Sequence, residues 1–399
     1  MSEWITVEQA LQTILGSAIA LGEEEVALSA SKRRILARAI SSPIDLPPFD
    51  NSAMDGFAFL HSETWKDPLE IVGTSSAGGP FHGSIQPNQA IRIMTGAPVP
   101  DICDTVVPIE LTSEENNHLW LNEAIAKGSH IRKKSTYLSK GKPALDAHIE
   151  IDPGAISVLS SFGYSTVPLV RRPIVAILTT GDELVPIDQE PGEGQIRNSN
   201  AHMIEALVEE AGCVAKRYAI TPDRKQAVQD NFKKAIQEAD IVLSIGGVSM
   251  GDFDFVRETI LELTNSNSFW KVQIKPGKPL TYGRSGNTHL IGLPGNPMSS
   301  FVSFHVFAKP LIDRLLGRSL APHIANILCA DSYKSTPRRE EYFAGRVELI
   351  DGKEHFVNIS GQKNSSGNPC GMTGCTHFAI SPVGENMLEK GTYVQVLTL

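Results

Sequence analysis

The sequence predicts a multidomain protein. A doubly wound α/β domain is preceded by a helical N-terminal domain with an inserted β-rich domain, and followed by a C-terminal β-barrel-like domain. Three observations carry this expectation. From Arg171 onward, continuous apolar strands alternate with amphipathic helical patterns, as in a buried parallel sheet. Between Ser41 and about Ile151, short β-type runs are broken by Gly, Pro and Asn, with helical patterns on either side. After Gly317 the chain is β-like and turn-rich to its end. At 399 residues it is also too long for one ordinary domain.

In order along the chain, Thr6 and Gln9 form a capping box ahead of Val7, Ala10, Leu11, Ile14 and Leu15 at helical spacing. "SASKRRILARAI" reads as a second helix with Lys32, Arg33 and Arg34 on a solvated face. These segments and "PGAISVLSSFG" define a helical domain, 1–40 and 141–170, around an inserted β-rich domain at 41–140. In the α/β domain, 171–318, "PIVAILTT", "CVAKRYAI", "DIVLSIGG" and "HLIGLPG" read as strands. "NAHMIEALVEEAG" is an amphipathic helix closed by Gly212. Thr221-Pro222-Asp223 reads as an N-cap with proline at the first helical position, and Asn296-Pro297 as the cap of a long helix through Leu316. The last domain spans 319–399.

Composition narrows the function. A net charge of −9 argues against non-specific nucleic-acid binding, which needs a basic footprint. Five scattered cysteines form no disulfide framework, and Cys370, Cys375 and His377 lack the further ligands of a zinc site. No targeting signal or membrane-length apolar run is visible, so a cytoplasmic protein is expected.

Four segments are expected just after strands of the α/β domain, where a doubly wound sheet binds its ligands. They are "TTGDELV" (Thr179–Val185), "GGVSMGDFD" (Gly246–Asp254), "KPGKP" (Lys275–Pro279) and "LPGNPMSS" (Leu293–Ser300). Gly246, Gly247 and the helix start at Asn296 offer backbone N–H groups to a phosphate. Lys275 and Lys278 flank Pro-Gly, which places two ammonium groups on one loop for an oxyanion. Asp182, Glu183, Asp252 and Asp254 are hard oxygen donors suited to Mg²⁺ bridging to that phosphate. Neither a P-loop nor a dinucleotide-binding glycine motif is present. "PPFDNSAMDGFA" (Pro47–Ala58) and "IRIMTGAPVP" (Ile91–Pro100) are turn-rich segments of the β domain that each read, alone, as turns.

Together these six segments resemble the molybdopterin molybdenumtransferase family, the MoeA proteins and the gephyrin E domain, through "FDNSAMDG", "RIMTGAPVP", "TGDEL", "GGVSMGDFD", "KPGKP" and "GLPGNPMSS". The resemblance implies a homodimer with a site shared between subunits. It also implies Mg²⁺-dependent insertion of molybdate into adenylylated molybdopterin, releasing AMP and molybdenum cofactor. Asp55 and Thr95 would reach the crevice from the inserted domain of the partner. Glu183, Asp223 and Asp254 match acidic residues of the family site, and Lys275, Lys278 and Ser299 match positions facing molybdate and the pterin phosphate. Ser249 and Pro294 are expected at the pterin within the same motifs, and Arg339 and Ser365 match a molybdate-binding Arg and Ser. A molybdopterin adenylyltransferase and molybdoenzymes are the protein partners implied.

Two departures from the family pattern stand out. Tyr137, in "RKKSTYLSKG", occupies a position where an aspartate is expected, and Asn198, in "RNSN", one that is often acidic. A tyrosine cannot replace a carboxylate as metal ligand at neutral pH. Tyr137 therefore supports an alternative, a catalytically weakened paralogue that binds molybdopterin or acts as a scaffold. A third reading is a nucleotide pyrophosphate hydrolase, against which the flanking domains argue. Cys213 reads as a buried small hydrophobe. His202 and His305 read as satisfied packing residues, and Trp4, Trp65, Trp120 and Trp270 show no stacking pattern.

Overall fold

The strand read at "PIVAILTT" forms as Ile174–Thr179 and lies inside a six-stranded sheet. In spatial order the strands are Val214–Arg217, Ile174–Thr179, Ile241–Ile245, Thr288–Leu293, Thr281–Ser285 and Phe269–Trp270. The first four run parallel, with Thr179 opposite Ile245 and Ile245 opposite Leu293; the last two are antiparallel. The computed structural model describes residues 4–63, 68–248, 254–264, 268–319, 323–359 and 365–399.

Alternation along the strands builds two apolar layers. Ile177, Leu243 and Ile291 face a core with Ile14, Ile204, Val208, Val302 and Phe304. Ala176, Leu178, Val242 and Leu290 face Val228, Phe232, Val256 and Ile260 on the other side. Burial on both faces explains why these strands read as unbroken apolar runs, each buried Ile, Leu, Val or Phe side chain stabilising by about 1.5–3 kcal/mol. The chain leaves Ile174–Thr179 to one side and returns on the other, which makes the carboxyl ends of Ile174–Thr179 and Ile241–Ile245 the switch point.

Contacts divide the chain into two compact units. One comprises Met1–Glu25, Arg33–Ala37 and Pro168–Leu399. It holds the α/β sheet, the helix Val7–Gly16 with the expected Thr6–Gln9 capping box, and a C-terminal barrel. Barrel strands Glu340–Ile350, Lys353–Asn358, Ile324–Cys329, Tyr393–Thr398 and His377–Ser381 pair in a ring that closes between the first and last. Closure leaves no free edge within the ring. The other unit comprises Val26–Lys32 and Arg38–Val167. Its six-stranded sheet has the order Thr105–Pro108, Gly56–Phe59, Gln89–Ile93, Leu69–Ser75, His118–Leu121 and Thr112–Glu115. It also holds the helix Pro153–Ser161, capped by Asp152.

Three local expectations are corrected. Residues 29–40 form no α-helix, because Ile35 and Leu36 are buried by extended pairing: Val170 N–H donates to Ile35 O at 2.8 Å and Leu36 bridges Leu169. Arg34 is buried rather than solvated, donating to Val170 O and Glu24 Oε1. The third correction is at Thr221, which caps no helix. Its N–H donates to Thr179 O at 2.8 Å, extending the sheet, and the helix begins at Lys225. By contrast, the helix from Asn296 does form, as Pro297–Ser303, a π-helical turn Phe304–Ala308 and Lys309–Leu315.

Candidate functional site

Register sets the site. Thr179, Ile245 and Leu293 end level with one another, so the segments after them emerge side by side. A small cleft of about 90 Å³ lies there, lined by Thr180, Glu183, Asn198, Gly246, Gly295 and Pro297 among others. A larger cavity of about 760 Å³ shares Leu184 and Asn198 with it and extends over Gly181, Asp182, Ile187, His202, Arg217 and Pro222.

The glycine pair is required by close packing. Gly246 and Gly247 have φ of 90° and 63°, a left-handed conformation that favours glycine. A Cβ on Gly246 would sit 2.9 Å from Thr180 O, and one on Gly247 2.8 Å from Val256 Cγ2. For Gly246 the expected role as an open phosphate donor needs correction, since its N–H already donates to Leu293 O at 3.1 Å. At the helix start, Met298 N–H is likewise taken, by Ser366 O at 3.1 Å, and Pro297 has no N–H to offer.

Four of the expected carboxylates share one electrostatic environment. Asp223 is half-buried, and its N–H donates to Asp182 Oδ1 at 3.2 Å. Burial raises the Asp223 carboxyl above its ordinary value; the negative charges of Asp182, Glu183 and Asp254 push in the same direction, against a second hydrogen bond in which the Asp182 backbone N–H donates to the Asp223 carboxylate. Thr221 brings Asp223 there, because its bridge to Thr180 holds the two loops together. Among the described residues no three His, Cys, Asp or Glu side chains converge tightly enough to hold a metal unaided. The donor set still fits Mg²⁺, which binds through one or two carboxylates with water and substrate phosphate rather than in an all-protein cage. Asp252 and Ser249 lie outside the described residues.

"KPGKP" does not follow a strand of the α/β sheet. Ile274–Lys275 pairs in parallel with Glu340 and Glu341 of the barrel, which draws the loop out of the sheet. The loop nevertheless packs on the Pro297–Ser303 helix: a Cβ on Gly277 would meet Ser303 Oγ at 2.7 Å and Ser299 O at 3.6 Å. Its two ammonium groups have different partners. Lys275 Nζ lies 2.8 Å from Oε1 of the buried Glu341, a close ion pair without hydrogen-bond alignment, and donates to Thr336 Oγ1 at 2.9 Å. Lys278 Nζ stands 4.4 Å over the Trp4 ring, a cation–π contact the sequence did not suggest.

Ser299 is buried in the helix after Pro294, whose carbonyl accepts from Ser300 Oγ. Arg339 is half-buried in the turn before the barrel strand, and its N–H donates to Thr336 O at 3.3 Å. Ser365 is exposed; its neighbour Ser366 docks on the helix start, accepting at Oγ from Asn296 Nδ2 at 3.1 Å. Ser366 thus emerges as the residue of that serine pair in contact with the site. Asn198 is buried, caps Ser199–Glu210 and donates to Thr179 Oγ1 at 2.9 Å, so an amide serves both bonds in place of an acid.

In the β-rich unit, Asp55 Oδ1 accepts from Thr95 N–H at 2.6 Å, which lowers the Asp55 carboxyl and joins the two motifs "AMDG" and "MTGAP". Asp50 is paired with Lys133 at 2.8 Å, and Tyr137 is 67% exposed. Three histidine and tryptophan readings change. His202 accepts from Arg217 at 3.1 Å and lines the large cavity, whereas His305 is half-buried, with both ring nitrogens shielded from solvent and neither bonded. Trp270 stacks with Arg257 and Lys271, and Trp65 lies outside the described residues.

Residues 5–163 match the family model "MoeA N-terminal region (domain I and II)", and residues 176–314 match "Probable molybdopterin binding domain". A molybdopterin molybdenumtransferase of Nostoc sp. is 37% identical over 94% of this chain and 88% of its own. One from Bacillus subtilis is 34% identical over 95% and 90%. Two solved structures of a molybdopterin biosynthesis moeA protein from Pyrococcus horikoshii cover 100% and 99% of both chains, with TM-scores of 0.85 and 0.86 at 24% and 26% identity. The crevice at the switch point, the six motifs and near full-length similarity agree: the chain belongs to the molybdopterin molybdenumtransferase family.

Proposed function

We propose that the protein inserts molybdate into adenylylated molybdopterin in a Mg²⁺-dependent reaction that releases AMP and molybdenum cofactor. The observation that carries this reading is the acidic cluster beside a cavity of about 760 Å³, both at the carboxyl ends of the central strands. Clustered carboxylates would repel a phosphoanhydride by themselves. With Mg²⁺ held by Asp182, Glu183, Asp254 and Asp252, they suit one, since the ion offsets charge at the bridging phosphates.

The chain's own groups divide the remaining work. Leu184, Ile187 and Ile220 in the cavity wall would exclude water from a bound heterocycle, while His202 and Arg217 would supply polar contacts. Lys275 and Lys278, with Arg339 and the serine pair Ser365 and Ser366, form the cationic and hydroxyl side suited to molybdate. Gly246, Gly247, Ser249, Pro294, Asn296 and Ser299 would serve the pterin side. Positioning and preorganised charge, rather than a side-chain nucleophile, would supply the rate enhancement. The reading includes a cytoplasmic homodimer in which Asp55 and Thr95 complete the partner's site. A molybdopterin adenylyltransferase would supply the substrate, and molybdoenzymes would take the product.

The weakened-paralogue alternative rests on Tyr137, which is exposed. The test is AMP release from adenylylated molybdopterin with Mg²⁺, with and without molybdate. Molybdate-dependent release is expected. Tight binding without release would favour the paralogue, and release independent of molybdate the hydrolase.

A further inference from the structure

Trp270 has a contact set that core packing does not demand. Its ring is half-buried at the sheet edge and lies outside both apolar layers. The indole Nε1–H donates to Val248 O at 3.1 Å, at the end of the glycine loop. The Arg257 guanidinium lies 3.5 Å from the ring centroid, and Lys271 Nζ 3.8 Å from it. Arg257 stands in the first turn of the helix Phe255–Leu263, headed by Asp254, and its N–H donates to Gly247 O at 3.3 Å. Arg257 Nε is buried without a hydrogen-bond partner, so that nitrogen has the aromatic face in place of water. Desolvated cation–π contacts are the strong ones. Val248 is itself fixed from below, since any Cβ on Gly292 would meet its Cγ1 at 2.6 Å.

One side chain thus ties the exit of the Gly246–Val248 loop to the start of the Asp254 helix. We propose that Trp270, acting with Arg257, is a positioning residue for Asp254, holding the Asp254 helix in register with Gly247 and Val248. The inference rests on the reading of the acidic cluster as the Mg²⁺ side of the site. Neither residue is among those lining the two cavities at the switch point, so each acts through the backbone it holds.

The test compares Trp270→Phe, Trp270→Ala and Arg257→Lys with Asp254→Asn in the full-length protein. Two quantities are read: the Mg²⁺ concentration for half-maximal AMP release, and hydrogen exchange in peptides covering Asp254–Leu263. Trp270→Ala is expected to raise the Mg²⁺ requirement about tenfold, matching a loss of roughly 1.4 kcal/mol in positioning. It should also speed exchange in that helix while leaving the Ser199–Glu210 helix unchanged. Trp270→Phe, which keeps a ring but loses the N–H, should fall between, and Arg257→Lys should retain most of the native behaviour. Native Mg²⁺ dependence and native exchange in Trp270→Ala would overturn the inference. Faster exchange in every helix would also overturn it, by showing a general loss of structure. If Asp254→Asn leaves the Mg²⁺ dependence unchanged, the acidic-cluster reading fails first; if it shifts that dependence and Trp270→Ala does not, only the positioning role fails.

Discussion

His305 should set part of the acid limit of this fold. It sits in the π-helical turn Phe304–Ala308 with ring centroids of Phe301, Phe304 and Phe378 at 4.7, 5.6 and 5.8 Å. Burial pushes its pKa down from 6.5 to about 3, with a smaller contribution from the Lys309 charge. In the unfolded chain the same imidazole protonates near pH 6.5. A base whose folded value is depressed leaves stability unchanged above pH 6.5 and removes it as pH falls from 6.5 toward the folded value. Between pH 7 and 5 that loss is about 2 kcal/mol, the slope approaching roughly 1.4 kcal/mol per pH unit below pH 6. It does not depend on the exact folded value, provided that lies well below 5. His289, pushed down to about 4 mainly by burial, contributes a similar slope, so the decisive quantity is a difference. The perturbation is His305→Leu, assayed as urea midpoints at pH 7, 6 and 5 for both proteins. The native protein should lose about 2 kcal/mol more than the variant between pH 7 and 5. Parallel pH dependences would refute the reasoning, because they would mean that His305 is protonated, or solvated, in the folded state.

Three other outcomes are expected. Lys275→Ala should reduce both AMP release and stability, because it strands the buried Glu341 carboxylate, a loss of about 1–3 kcal/mol; Lys278→Ala should reduce release with little change in stability. Denaturant titrations beside the activity assay separate the two. Gly246→Ala should destabilise by about 1–3 kcal/mol, since a left-handed residue would carry a Cβ 2.9 Å from Thr180 O, and a urea midpoint checks it. Tyr137→Asp should leave AMP release within about twofold of native, and a large gain would instead favour the weakened paralogue.

Much was legible in the sequence because it depended on local chemistry. Buried parallel strands are apolar on both faces, so Ile174–Thr179, Ile241–Ile245 and Thr288–Leu293 were readable as runs. The Thr6 capping box needs only residues three apart. The motif loops were readable because glycines, acids and lysines at strand ends carry chemistry in their composition. Tertiary structure decided what those groups do with their bonds. Amides at Gly246 and Met298 are committed to Leu293 and Ser366, partners 47 and 68 residues away by number. Lys275 turns to the barrel because its backbone pairs there, and Lys278 turns to Trp4. Ile35 and Leu36 follow a helical period yet are buried by an extended pairing that no local pattern encodes. Local residue chemistry named the elements and the ingredients of the site. Which donor meets which acceptor is set by contacts between segments far apart in the chain, and only the folded arrangement supplies those.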